Sequence, residues 1–191
     1  MKWSGFFLAL MTLSLFSCKE STQETDDASG FFPVLSYLQS QARHVDTSVY
    51  NIVKISKAHG RQDTTYLRRE EFKVAAQDFL SLPDMAGNSL KKKYTETKLY
   101  DEDLKKVVLS YLPKEKGEEI IRQDVIIEPD AGTGDQVQTI YSETLENKKD
   151  STIQKRLTWN VDKSFQVIRI VTAKNGTETV QTTDVTWADQ P

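Results

Sequence analysis

The fold is decided by residues 153–187, which read IQKRLTWNVDKSFQVIRIVTAKNGTETVQTTDVTW. Three runs rich in β-branched and aromatic residues, at 153–161, 165–173 and 178–187, are separated by the polar turns Asp162-Lys163 and Asn175-Gly176. Asn-Gly predicts a tight type I′ turn, because this dipeptide tolerates positive φ at both central residues. Connections this short join antiparallel neighbours, so the stretch predicts three strands of a meander.

Side-chain alternation predicts that this sheet has one buried face, and one face that is exposed to water or lightly covered. Ile153, Leu157, Trp159 and Val161 share one face of the first strand, and Val185 and Trp187 share one face of the third. The middle strand is apolar in both parities, which predicts a central strand covered on both faces.

Four more strand-like runs lie upstream, separated by polar turns. They cover residues 94–100, 104–112, 119–128 and 136–145. The meander is therefore expected to extend over the whole second half of the chain.

The first half of the domain predicts two helices and a hairpin. Apolar residues at helical spacing predict a helix over 32–45, and a second over 70–82 that Pro83 ends. Between them, runs at 49–57 and 63–69 flank a turn at His59–Gln62. A loop is expected over 84–90. The prediction is an α+β fold: two N-terminal helices packed on a curved, mostly antiparallel multi-stranded sheet, in a single domain of residues 31–191.

Residues 1–17 have the construction of a secretory signal peptide, with Lys2, an apolar run over 6–16 and the small residue Ser17 before Cys18. Spanning a bilayer as a helix takes roughly twenty apolar residues, so removal of this segment is favoured over a permanent span.

The sequence Leu15-Phe16-Ser17-Cys18 resembles the lipobox of bacterial lipoprotein precursors of the Bacteroidota type, although Phe16 is bulkier than the usual residue there. The resemblance implies that Cys18, the only cysteine, receives a diacylglyceryl group and becomes the first residue of the mature protein. Two or three acyl chains would then hold the protein at a membrane. The alternative interpretation is an incidental cysteine.

Residues 18–30 are interpreted as a flexible acidic tether that follows the lipidated cysteine. The twelve residues from Lys19 to Gly30 read KESTQETDDASG, include no large apolar side chain, and would reach on the order of 20 Å. The acids are similar to export signals of surface lipoproteins, and a plain solvated linker explains them equally well. The lipobox resemblance implies a lipid-anchored protein of the cell envelope. In the sorting rule of that family, Lys19 rather than an aspartate after the cysteine favours the outer membrane, on its periplasmic or its surface face.

Composition and motifs argue against several function classes. A formal net charge of −3 together with export argues against a nucleic-acid partner. His44 and His59 lie in different predicted elements without the spaced partners that zinc needs. The loop from Asp130 to Asp135 lacks the alternating acids of a calcium loop, and Lys91–Lys93 is either a head-group contact or a solvated strand start. We therefore expect no catalytic residue, no metal and no cofactor, and do not expect an enzyme.

A curved sheet with helices across its mouth resembles, in layout alone, the periplasmic lipid and lipoprotein carriers. If an apolar groove lies between the first helix and the sheet, its candidate lining is Phe31, Phe32, Tyr37, Trp159 and Trp187. The alternative is that these aromatic residues close an ordinary core.

The leading hypothesis is a non-catalytic envelope lipoprotein, held at the membrane through its lipid anchor, whose domain binds a hydrophobic small molecule or an envelope protein. The alternative is a structural or assembly component of an envelope complex, and an enzyme of unknown class comes third.

Overall fold

The computed structural model describes residues 30–130, 132 and 134–187. The predicted signal peptide, the lipobox with Cys18 and the tether lie outside the described residues, apart from Gly30. The compact unit that contains every described helix and strand begins at Phe31.

Nine strands form one antiparallel sheet in the order β2-β1-β9-β8-β7-β6-β5-β4-β3. The strands are β1 (Ile52–Ala58), β2 (Arg61–Leu67), β3 (Tyr94–Asp101), β4 (Lys106–Pro113), β5 (Ile120–Glu128), β6 (Gln136–Asn147), β7 (Ser151–Asn160), β8 (Ser164–Ala173) and β9 (Glu178–Thr186). Strands β3 to β9 pair in chain order, so the predicted meander is confirmed. In the described part of the chain the sheet is open, with β2 and β3 as its edges.

The predicted hairpin of β1 and β2 is present, with a shorter turn than expected. Only His59 and Gly60 connect the strands, and both have positive φ, 51° and 71°, as a type I′ turn requires. Strand β1 also pairs with β9, a long-range contact that the sequence did not predict.

The turn at Asn175-Gly176 is not of type I′, because only Gly176 has a positive φ, of 83°. The Gly176 N–H donates to the carbonyl of Ala173 at 2.8 Å, and the Ala173 N–H donates to the carbonyl of Thr177 at 2.9 Å. This bonding is typical of a type I turn closed by a glycine bulge.

Four helical segments accompany the sheet: α1 (Val34–Thr47), α2 (Arg69–Ala75), α3 (Gln77–Leu80) and α4 (Asn88–Lys91). Helix α1 confirms the first predicted helix. The second predicted helix is broken at Ala76, where ψ is 4°, and the loop expected over 84–90 contains the start of α4. The prediction that both helices precede the sheet in the chain is also wrong. Strands β1 and β2 separate α1 from α2, and they join the sheet beside β9. No helix among the described residues is long and apolar enough to span a membrane.

One apolar cluster joins buried side chains of α1, α2 and α3 to one face of the sheet. Strand register places two rows of that face at its centre: Tyr111, Gln123, Ser142, Leu157 and Val167, and then Val125, Ile140, Trp159, Phe165 and Val185. The predicted faces of β7 and β9 are confirmed by burial, except that Val161 lies just beyond β7 and is only partly buried. Strand β8 is an inner strand as predicted, although Ile168 and Ile170 on its other face are only partly buried.

Candidate functional site

Two of the five candidate groove residues lie in the centre of the core. Trp159 and Trp187 are 0% and 1% exposed, and their ring centroids are 5.3 Å apart. Phe72 of α2 contacts both edge-on, at 6.1 Å and 5.1 Å, and Phe79 of α3 contacts Trp159 at 5.2 Å. The aromatic rings of Phe72 and Phe79 therefore occupy the space that a ligand would need in order to contact these two tryptophans.

The other three candidate residues gather where the domain begins. Phe31 packs on Tyr111 at 4.9 Å between ring centroids, and Phe32 packs on Tyr37 at 5.6 Å. The Phe32 N–H donates to the Tyr111 hydroxyl at 3.0 Å. Burial raises the pKa of the Tyr111 phenol. No ring contact joins this group to the two tryptophans among the described residues, so the five side chains form two groups.

The connections of the meander divide the surface charge between the two ends of the sheet. Because antiparallel strands alternate in direction, the β4–β5, β6–β7 and β8–β9 connections lie at the end where Lys91–Lys93 lead into β3. Four acids accompany eight lysines there: Lys91, Lys92, Lys93, Lys114, Lys116, Lys148, Lys149 and Lys174. We call this set of segments, residues 91–93, 114–119, 148–150 and 174–177, the basic end.

The opposite end of the sheet has the reverse charge. The connections 102–105, 129–135 and 161–163 contain five acids and two lysines, and we call them the acidic end. Three large apolar side chains are exposed in or beside the first of these connections: Leu99 at 62%, Tyr100 at 53% and Leu104 at 64%. The Leu104 N–H donates to the Asp101 carboxylate at 2.9 Å, which fixes the turn.

Three lysines of the basic end line a cavity of about 340 Å³, whose lining residues are Lys92, Lys93, Lys114, Glu115 and Glu118. Lys93 Nζ lies 3.0 Å from Glu118 Oε1, and Lys114 Nζ donates to the Lys92 carbonyl at 3.0 Å. Tyr94, which follows Lys93 in the chain, is 3% exposed. Burial, together with the negative charge of Glu118, raises the pKa of Tyr94 to about 12.

Several charged side chains on the sheet face that bears Asp124 pair with one another. Arg122 Nε donates to Asp124 Oδ2 at 2.7 Å, and Arg156 Nε lies 3.4 Å from Glu143. Gln166 donates to Asp184 at 2.6 Å, and Gln154 donates to Glu143. These pairs satisfy carboxylates that would otherwise be candidates for acid–base chemistry, although Asp124 Oδ1 is buried without a hydrogen-bond partner.

The two histidines lie apart, His44 in the last turn of α1 and His59 in the β1–β2 turn. Within the described ranges no group of three or more histidine, cysteine, aspartate or glutamate residues is placed to hold a metal ion. The Asp130 carboxylate accepts a hydrogen bond from the Gly132 N–H at 2.7 Å, which is an ordinary turn contact.

Sequence reasoning singled out only Lys91–Lys93 of the basic end. The remaining lysines are distant in sequence and meet only because every second connection of a meander returns to the same end. This alternation of the connections is the feature from which the sequence could have predicted that the lysines cluster at one end of the sheet. Comparison of the chain with protein-family models, with curated proteins and with solved structures finds no match.

Proposed function

We propose that this chain is a lipid-anchored protein of the bacterial cell envelope whose folded domain binds another protein without catalysing a reaction. The observation that carries the choice is the contrast between a filled aromatic core and exposed large apolar side chains at the acidic end. The proposed anchor is supported by the lipobox resemblance of Leu15–Cys18 and by the acidic segment that precedes the domain.

A protein partner is favoured over a hydrophobic small molecule because helical side chains fill the space around Trp159 and Trp187, two of the five candidate groove residues. Phe72 and Phe79 contact Trp159 edge-on and close the core from the helical side. A lipid-sized ligand would have to displace these rings, and truncating one buried phenylalanine alone costs about 3–5 kcal/mol. Exposed leucines at a sheet edge carry no such cost, since they gain from being covered.

The proposed docking surface is the edge strand β3 together with its turn to β4. Among the described residues, β3 is an edge strand with no neighbour on one side, so it offers backbone groups to a partner strand, and Leu99, Tyr100 and Leu104 offer apolar contacts beside it. Glu102 and Asp103 are exposed in the same turn. The complementary partner is therefore an extended protein segment with apolar residues flanked by lysine or arginine.

We also propose that the sheet is curved and wraps around the helices that pack on its core face. Support comes from the gradient of burial across the sheet, since Trp159 and Phe165 of inner strands are buried while edge strand β2 is exposed along nearly its whole length. Antiparallel sheets twist, and coiling of a nine-stranded sheet brings inner strands closest to a packed helix.

The anchor is tested by metabolic labelling with a fatty acid. We expect label in the wild-type protein and none in Cys18→Ala, with Ser17→Ala, a small residue next to the cysteine, as the matched control that keeps its label. Equal label in wild type and Cys18→Ala would refute the anchor.

The docking surface is tested with the full lipoprotein in cells, by photo-cross-linking from a reactive residue at Thr97 of β3. We expect a discrete cross-linked partner that is lost in Leu99→Asp/Leu104→Asp and kept in Val74→Asp, because Val74 is an even more exposed apolar residue, at 76%, and lies away from this surface on α2. Cross-links that persist in the double variant would refute this surface.

A further inference from the structure

We propose that the basic end is a membrane-contact surface that rests on the phosphate groups of anionic lipid heads, so that the domain stands on the bilayer with its acidic end outward. The inference rests on the proposed lipid anchor, and it adds an orientation that the anchor alone does not give. An acylated cysteine on a flexible tether would otherwise leave the domain free to rotate.

The first support is the segregation of charge along the strand axis. The basic end contains eight lysines and four acids, whereas the acidic end contains two lysines and five acids. Apart from Lys91, which is partly buried, these lysines are exposed. Although the full sequence has a formal net charge of −3, one end of the sheet thus keeps a positive surface. The far end is repelled by the same membrane that attracts the near one.

The second support is the position at which the tether joins the domain. Lys91 Nζ lies 5.5 Å from the centroid of the Phe31 ring, so the first residue of the domain lies against the basic end. The twelve-residue tether reaches on the order of 20 Å. The anchored cysteine and the lysines are therefore held within reach of the same patch of bilayer.

The expected strength follows from the number of lysines that can approach the lipid. Each lysine near an anionic surface strengthens membrane association about fivefold, and the effect falls off within a Debye length of about 8 Å at physiological salt. Lys93 contributes less because Glu118 already pairs with it. Two or three close lysines therefore suffice to fix the orientation of a protein that is already anchored.

The test uses the full lipidated protein in vesicles of phosphatidylcholine alone and in vesicles that also contain phosphatidylglycerol, with lysine acetylation read by mass spectrometry. We expect Lys92, Lys116 and Lys149 to react at least fivefold more slowly in the anionic vesicles, an effect that high salt removes. Lys105 and Lys163 at the acidic end serve as internal references and should react equally in both. Equal protection in neutral vesicles would mean that the acidic tether covers the lysines, and would overturn the proposal.

Charge reversal gives a second, independent arm. Lys92→Glu/Lys116→Glu should abolish the protection of Lys149 in anionic vesicles, whereas Lys105→Glu/Lys163→Glu, with the same change in charge, should leave it intact. Protection that survives the first variant overturns the proposal. Fatty-acid labelling of the same preparation separates the failures: labelled protein without protection refutes the orientation alone, and unlabelled protein refutes the anchor and the orientation together.

Discussion

At the residue scale, Tyr94 couples the stability of the domain to alkaline pH. Its phenol is buried at the start of β3, and its pKa rises from 10.0 to about 12. Between these two values the unfolded chain releases the proton while the folded chain keeps it. The contribution of Tyr94 to the free energy of unfolding is therefore fully present below about pH 10. It falls by on the order of 2 kcal/mol as the pH rises toward 12.

We expect Tyr94→Phe to reduce that alkaline loss, because the unfolded variant has one phenol fewer to ionise. The measurement is urea denaturation at pH 9 and at pH 11. Tyr66→Phe is the control, since the ring of Tyr66 is exposed on edge strand β2. An alkaline loss identical in wild type and Tyr94→Phe would contradict the assignment. Burial raises the pKa of Tyr111 in the same direction, so part of the loss remains in the variant.

At the scale of the element, α2 illustrates how one short helix is held by a single face. Phe72 is fully buried and contacts Trp159, Phe165 and Trp187, whereas Val74 in the same helix points to solvent. Phe72→Ala should lower the free energy of unfolding by about 3–5 kcal/mol. Val74→Ala should change it by about 0.5 kcal/mol or less.

Thermal and urea denaturation of the two variants measure this difference. If Phe72→Ala unfolds too much of the protein to be assayed, Phe72→Leu should retain the fold with a smaller loss. Equal effects of Phe72→Ala and Val74→Ala would mean that α2 does not close the core.

The strands that the sequence predicted best are those that pair with the next strand along the chain. Seven meander strands follow from alternation and polar turns, because each pairs with its neighbour in the chain. The pairing of β1 with β9 joins Val53 to Thr186 across most of the domain, and no local pattern encodes it. The break at Ala76 was equally hidden, because neither glycine nor proline marks it.

The candidate site was predictable only in part, for a related reason. Helical spacing and strand alternation indicate that Phe72, Phe79 and Trp159 are buried, but whether they fill a core or line a groove depends on the distance between elements. Their ring contacts of 5–6 Å decide for the core. Leu99 and Leu104 have the same apolar character as core residues, and only their exposure distinguishes them.

At the scale of the whole molecule, the two ends of the sheet lie far enough apart for their distances from a membrane to be compared. Strand β3 has eight residues and is therefore about 25 Å long. Cys18 is the only cysteine in the sequence, so if it is acylated as proposed, an introduced cysteine is the single free thiol. Thr177→Cys marks the basic end without removing a lysine, and Leu104→Cys marks the acidic end.

With a fluorophore on each thiol and a quencher on the lipid head groups, the Thr177→Cys label should be quenched several-fold more than the Leu104→Cys label in vesicles that contain phosphatidylglycerol. In phosphatidylcholine vesicles the tethered domain rotates without an electrostatic preference, so the two labels should converge. High salt should produce the same convergence in anionic vesicles. Equal quenching of both labels at low salt would indicate that charge segregation does not orient the domain, and Leu104 would then lose the outward position from which it could meet a partner.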